Sequence, residues 1–302
     1  MNTPYHPGEI RMQERAGLRE TANAMARTIY PVIAHQFIAF IESQPMVICG
    51  SEDSNGLVWA SQICGKPGFM SVVDEQAMRI KVLPNKEDPL MADAEGSREL
   101  GLIIIDFATR RRLRINGRAD IDEEGITMRP RQVYSNCPRY IQSREYAMAG
   151  DDCNAACTIR HGTALNAANQ QLIGQADTFF LATFHPQEGA DCSHRGGFPG
   201  FVQLLDENTI VWPDYNGNSM FNSLGNITEY PKAGLLFMDF EKGSTLQLSG
   251  SATVLWEDER LTRFPGAERI LEFSIQKIIE TENATRLHWK FVEYSSDNPW
   301  WD

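Results

Sequence analysis

Short apolar and β-branched runs, cut by Gly, Asp and Asn, fill much of the chain. In the second half they fall at 179–183, 200–205, 209–212, 233–237 and 245–248, and resume over 252–256. This spacing predicts short antiparallel strands of a barrel or sandwich. Helical patterns are predicted at 9–27 and 31–43, then at 163–175, and again at 267–282. An aromatic tail follows, with Trp289, Phe291, Tyr294, Trp300 and Trp301. Strand-rich segments with peripheral helices indicate a mainly β, α+β protein and exclude a doubly wound parallel sheet.

The strand-rich segments repeat. SQICGKPGF (61–69) matches SHRGGFPGF (193–201), and each is followed by an apolar pair and Asp-Glu, at an offset of 132. GLIIIDFATRRRLRINGRA (101–119) matches GLLFMDFEKGSTLQLSGSA (234–252) at an offset of 133. Two matches in the same order with nearly the same offset point to a duplicated unit of about 100 residues. The predicted organisation is an N-terminal helical extension (1–43), a first repeat (44–150), a second, ligand-bearing repeat (151–258), and a C-terminal helix with the aromatic tail (259–302).

Composition narrows the classes. The chain has 302 residues, with 28 Lys and Arg against 40 Asp and Glu, for a net charge of −12. An acidic chain lacks the positive field that nucleic acid or an anionic membrane requires, so neither is expected as a partner. The polar N-terminus shows no signal-like apolar stretch, and no run nears the roughly 18 apolar residues of a spanning helix, so a cytoplasmic location is expected. Of the six cysteines, Cys153 and Cys157 stand near Asp151, Asp152 and His161. No second close pair completes a zinc set, so reduced thiols and no metal are expected.

Two stretches carry candidate chemistry. In the predicted loop 190–201, the Gly and Pro residues after Arg195 bring backbone N–H groups close to a ligand, and Arg195 offers a bidentate grip on phosphate. The plainer alternative is a turn with a solvated arginine. The first copy (61–65) keeps the turn but lacks His194 and Arg195, which favours a division of roles between copies. In the stretch 212–226, Asn218, Ser219, Asn222 and Ser223 supply neutral donors, and Trp212, Tyr215 and Phe221 supply flat faces. A hairpin loop with a helix N-cap at Asn222 or Ser223 is the compatible alternative, since a helix N-terminus also favours anions. Arg110, Arg112 and Arg114 share a strand face, expected to be solvated or salt-bridged, with a second anion site the alternative. His194 is a candidate acid/base, whereas a triad with Ser193 is not supported by spacing. His161 and His185 are expected at the surface, and Asp106 and Asp239 in turns.

Several longer phrases are HPGE (6–9), LRINGRA (113–119), NCPRYIQ (136–142), ADTFFLATFHP (176–186), SHRGGFPGF (193–201) and FPGAER (264–269). With Glu229-Tyr230-Pro231 before an apolar strand and Gly250 before Ala252, the chain resembles the FMN-binding split-barrel proteins related to pyridoxamine 5′-phosphate oxidase. It is most similar to a predicted flavin-nucleotide-binding branch. The resemblance covers nearly the whole chain. It implies two tandem split β-barrels and a flavin, FMN with FAD as an option, held at a barrel interface. It also implies cofactor contacts from Ser193, His194, Arg195, Gly196, Gly197, Trp212, Pro213, Asn218, Ser219, Asn222 and Thr245. No Arg or Lys stands in the second phosphate-binding region, which leaves the choice of cofactor open. The implied activity is an oxidoreductase passing electrons or hydride to a small molecule, with NAD(P)H as a candidate partner and a homodimer as an option. The alternative is a non-catalytic module that stores or senses a flavin or nucleotide.

Overall fold

The computed structural model describes residues 3–92, 96–148 and 157–300. Two helices open the chain, α1 (Pro7–Arg15) and α2 (Arg19–Met25), broken at Gly17, whose positive φ of 69° ends the first. A short α3 (Ile38–Ser43) leads into the first sheet. That sheet contains β1 (Met46–Glu52), β2 (Val58–Cys64), β3 (Met70–Asp74), β4 (Ala77–Ile80), β5 (Gly96–Asp106), β6 (Arg111–Asp122) and β7 (Gly125–Asn136), in the order β2-β1-β5-β6-β7-β4-β3.

After β8 (Ser143–Met148), β9 (Thr158–Gly162) and α4 (Ala167–Gln175), the chain forms the second sheet. Its strands are β10 (Thr178–His185), β11 (Gly189–Gly196), β12 (Gln203–Leu204), β13 (Thr209–Tyr215), β14 (Lys232–Asp239), β15 (Ser244–Leu255) and β16 (Ala267–Glu282). The order β11-β10-β14-β15-β16-β13-β12 reproduces the first sheet strand for strand, and β9 adds to β16. The helix α5 (Asn222–Glu229) lies between β13 and β14. A final strand, β17 (Leu287–Glu293), pairs with β8 and so ties the C-terminal segment to the end of the first copy.

Each sheet covers its own core. Val47, Leu102, Ile115 and Met128 lie in one, and Phe179, Leu235, Leu248 and Phe273 in the other. A third apolar layer, with Ile48, Ala60, Ile103, Phe180, Cys192 and Leu236, joins the two copies back to back. Close backbone approach at this junction requires matched glycines. A methyl group on Gly101 would stand 2.6 Å from the Cα of Asp191, and one on Gly234 2.7 Å from the Cα of Trp59. The two contacts are equivalent under the duplication, so the copies are related by an approximate twofold.

The helix predicted at 267–282 is instead β16, the longest strand. Its middle alternates Leu271, Phe273 and Ile275 inward with Glu272, Ser274 and Gln276 less buried, a period of two. Pairing with β13, β15 and β9 outweighs the helix-forming Glu, Lys and Gln. The predicted helix at 31–43 forms only from His35, and that at 163–175 begins at Ala167 behind an Asn166 cap. Asp106 and Asp239 do serve turns, accepting from backbone N–H groups at 108–109 and 241–242.

Candidate functional site

The stretch 190–196, predicted as loop, is strand β11, paired with β10 along its length. The structure keeps three of the predicted neighbours together and sets others apart. His194, Arg195 and Gly196 line a cleft of about 110 Å³ with Pro213, Asn218, Ser219 and Asn222. Ser193 is fully buried behind it, bonded to the Leu181 carbonyl and to the Ser223 hydroxyl. Gly197 gives its N–H to the Asp177 carbonyl. Trp212 has 0% exposure and packs against Phe179 and Phe273, a core residue. Thr245 lines different cavities altogether.

The opposite wall of the cleft comes from the first copy. Arg112 and Arg114 on β6, with Asn136, Cys137 and Tyr140, face the residues of the second copy across the junction. Of the solvated or salt-bridged face expected for these arginines, the solvated reading is corrected, since alternation along β6 points Arg112 and Arg114 together into the cleft. Arg114 is salt-bridged to Asp191 and Arg110 to Glu293. Arg110 sits in a left-handed turn at φ 53° and bonds to the Ile141 carbonyl and Glu293. The repeat itself held a signal for this. At the offset of 133, Arg112 and Arg114 stand where the second copy has Thr245 and Gln247. They break the equivalence just as His194 and Arg195 do.

The charges of the cleft are unevenly paired. Arg114 donates to Asp191 at 3.0 and 3.2 Å, and Asp191 also accepts from Asn116, Tyr134 and Ser223. Burial disfavours the Asp191 carboxylate, yet Arg114 and these donors hold its pKa below the ordinary value. Burial opposes the Arg114 charge as well, and Asp191 outweighs it. Arg195 donates to one oxygen of Asp214 at 2.6 Å, and Arg269 donates to the other at 2.8 Å while pairing with Glu268. Arg195 is thus not the free cation that its sequence context predicts.

Arg112 differs from all three. It meets His194 Nδ1 at 3.0 Å, the Cys137 thiol at 3.8 Å and the Arg139 carbonyl at 3.5 Å, with no carboxylate partner among the described residues. Burial lowers its pKa to about 10, which leaves it charged at neutral pH. Burial and then the Arg112 charge push His194 well below its ordinary pKa, so the imidazole is neutral. Its Nδ1 must accept from Arg112, which leaves the proton on Nε2. That donor has no partner, and neither do Arg112 Nε or Arg195 Nε, although all three are buried. Buried donors without acceptors are costly.

The N-terminal segment holds α5 in place. A methyl group on Gly8 would stand 2.6 Å from the Gly225 carbonyl oxygen, so α1 and α5 touch backbone to backbone. Asn222 donates to Glu9, and His6 Nε2 lies 2.9 Å from Asn226 Oδ1. His185, expected at the surface, is buried against His6 with ring centres 4.4 Å apart. Among the described residues no group of three His, Cys, Asp or Glu side chains forms a metal site. Asp151, Asp152 and Cys153 lie outside those residues.

The duplicated sheets and their arginine-lined junction define a tandem split-barrel protein with an anion-ready cleft. Residues 165–291 match the family model described as pyridoxamine 5′-phosphate oxidase, so this part of the chain is similar to that family. No curated protein matches the chain in sequence. Solved structures similar to it include an FMN-binding protein from Syntrophomonas wolfei, at 18% identity and a TM-score of 0.29, covering 37% of this chain and 82% of that one. An FAD-binding protein from Mesorhizobium loti has 10% identity and a TM-score of 0.31, covering 42% and 98%. HutZ, described as the heme storage protein of Vibrio cholerae, has 14% identity and a TM-score of 0.27, covering 36% and 90%.

Proposed function

We propose that this chain binds one phosphorylated flavin in the cleft between its two copies, FMN in the first instance. The observation that carries the reading is Arg112, a charged guanidinium with no acidic partner among the described residues, whose Nε, with His194 Nε2 and Arg195 Nε, is a buried donor without an acceptor. Arg112, Arg195 and His194 Nε2 would hold the phosphate, with Asn218, Ser219 and Asn222 at the start of α5 completing the donor set. The enclosed 110 Å³ suits a phosphate and adjoining carbons, and is well below the roughly 300 Å³ at which ligand pockets begin. The flavin rings must therefore extend past the enclosed part, where Tyr140, Tyr215 and Phe221 offer flat faces. Both walls belong to one chain, so the site needs no second subunit.

A bound flavin supplies electron or hydride transfer, and the protein supplies orientation and electrostatics. We assign the chain to oxidoreductases acting on a small molecule, with NAD(P)H as the electron donor and the cytoplasm as its location. No helix among the described residues is long and apolar enough to cross a membrane. The test is the visible spectrum and mass spectrum of the purified protein, followed by titration with FMN and FAD. Binding with unchanged affinity in Arg112→Ala and Arg195→Ala would sink the reading.

One observation favours a non-catalytic flavin-holding module. Burial and the Arg112 charge hold the His194 pKa well below the ordinary value, which disfavours a proton-transfer role for it. Reduction by NAD(P)H followed by reoxidation with turnover separates the enzyme from the carrier.

A further inference from the structure

A second cavity adjoins the cleft. Between α3 and the start of β6 runs a groove of about 500 Å³, bounded by Phe37, Phe40, Thr109, Arg111 and Ser135. It shares Arg112 and Asn136 with the cleft, so these two side chains form the wall between the cavities. Both carry a buried polar atom without a partner, Arg112 Nε and Asn136 Oδ1. Arg111 is exposed, and its guanidinium sits 5.0 Å from the centre of the Phe40 ring. No carboxylate pairs with it among the described residues. A guanidinium backed by an aromatic ring presents an outer face to a planar base, while its edge donors reach phosphate. The equivalent groove in the second copy, about 640 Å³, has Ser244 and Thr245 in place of Arg111 and Arg112 and adds Asp239, Lys242, Glu280 and Glu282, of which Asp239 pairs with Lys242 and Glu282 with Arg160.

We propose that the groove of Phe37, Phe40 and Arg111 binds an adenosine diphosphate moiety, its base on the outer face of the Arg111 guanidinium and its phosphates at that guanidinium's edge donors. The proposal rests on the flavin reading only for what lies next door. An adenosine diphosphate end belongs both to a flavin dinucleotide and to a nicotinamide dinucleotide, and the groove is placed to carry either beside the cleft.

The test titrates ADP into the full-length protein by calorimetry. Wild type should bind ADP, and Arg111→Glu and the milder Arg111→Gln should weaken it by about tenfold or more while FMN affinity changes less than twofold. No ADP binding, or ADP binding indifferent to both variants, overturns the proposal. If FMN fails to bind while ADP binding still depends on Arg111, the groove stands and the flavin reading falls. Two further arms identify the source. A tighter grip on FAD than on FMN, erased in Arg111→Glu, supports the flavin dinucleotide. Arg111-dependent binding of NADPH to the FMN-loaded protein supports the nicotinamide one.

Discussion

The duplication places two junction sites in one chain, and only one of them is equipped for an anion. In the cleft, β6 of the first copy offers Arg112 and Arg114 to His194 and Arg195 on β11. At the twofold mate, β15 of the second copy offers Thr245 and Gln247, and Gln62 and Ile63 on β2 stand in place of His194 and Arg195. Gln247 donates to the Ala60 carbonyl, Ser61 and Asp88, a closed network in a pocket of about 150 Å³. Asp88 also accepts from Ser61 and from the Leu90 N–H, and burial raises its pKa. A buried acid stands where a phosphate would have to sit. The same backbone thus supports an anion cleft on one side and a self-satisfied structural contact on the other, and four side-chain differences decide which.

The largest expected effect is on binding. Arg112→Ala should weaken FMN by roughly 100-fold, since hydrogen bonds to charged groups are worth about 1.5–3 kcal/mol and the cleft loses its guanidinium without a carboxylate partner. Thr245→Ala, its twofold mate, should change affinity less than twofold. Fluorescence quenching of the flavin measures both, and equal losses would abolish the distinction between the sites. Saturation should come at one flavin per chain; two per chain would mean that Asp88 does not exclude the ligand.

Stability should treat the two halves alike where binding does not. Gly101→Ala and Gly234→Ala both drive a methyl group into facing backbone, at 2.6 Å from Asp191 and 2.7 Å from Trp59. Each should cost about 1–3 kcal/mol, as overpacking does. Denaturant unfolding of the two variants reads this directly. A silent substitution at one position would show that the junction is less symmetric than the strand order.

Much of this architecture was legible in the repeat, because the glycines and apolar runs recur wherever the backbone geometry recurs. The ligand wall was half legible. His194 and Arg195 stand out as unmatched between copies, whereas the pattern places Arg112 and Arg114 on one solvated or salt-bridged strand face, of which the structure keeps the salt bridge of Arg114 to Asp191. Periodicity shows which residues share a face and not what that face meets; a wall contributed from the other copy lies outside its reach. Trp212 and Thr245 failed for the same reason: strand alternation turned Trp212 into the core, and the duplication carried Thr245 to the mate site. β16 was misread because its Glu and Lys residues suit a helix, whereas its three partner strands are set by tertiary pairing alone.

The smallest effect concerns how each site holds its own loop. Over the mate pocket, Asp88 caps a single short turn at Pro89–Met91. Over the cleft, the corresponding segment is α5, held by Glu9 and His6 from outside the duplicated unit. Burial raises the Glu9 pKa to about 8 and lowers that of His6 to about 4, with His185, Glu188, Glu229 and Asp191 the nearby titrating groups. From pH 4.5 to 8 the unfolded chain releases the Glu9 proton while the folded chain keeps it, so stability falls as pH rises. From pH 6.5 down to 4 the unfolded chain takes up a proton on His6 that the folded chain refuses, so stability falls as pH drops. The two slopes oppose each other between 4.5 and 6.5, and above 6.5 Glu9 acts alone. Over the interval from 6.5 to 8 this amounts to roughly 2 kcal/mol. Thermal unfolding of the wild type should therefore drop by a few degrees across that interval, and Glu9→Gln should flatten the dependence while leaving the mate site untouched. An unchanged slope in Glu9→Gln would locate the titration elsewhere and remove the N-terminal helix from the support of the cleft.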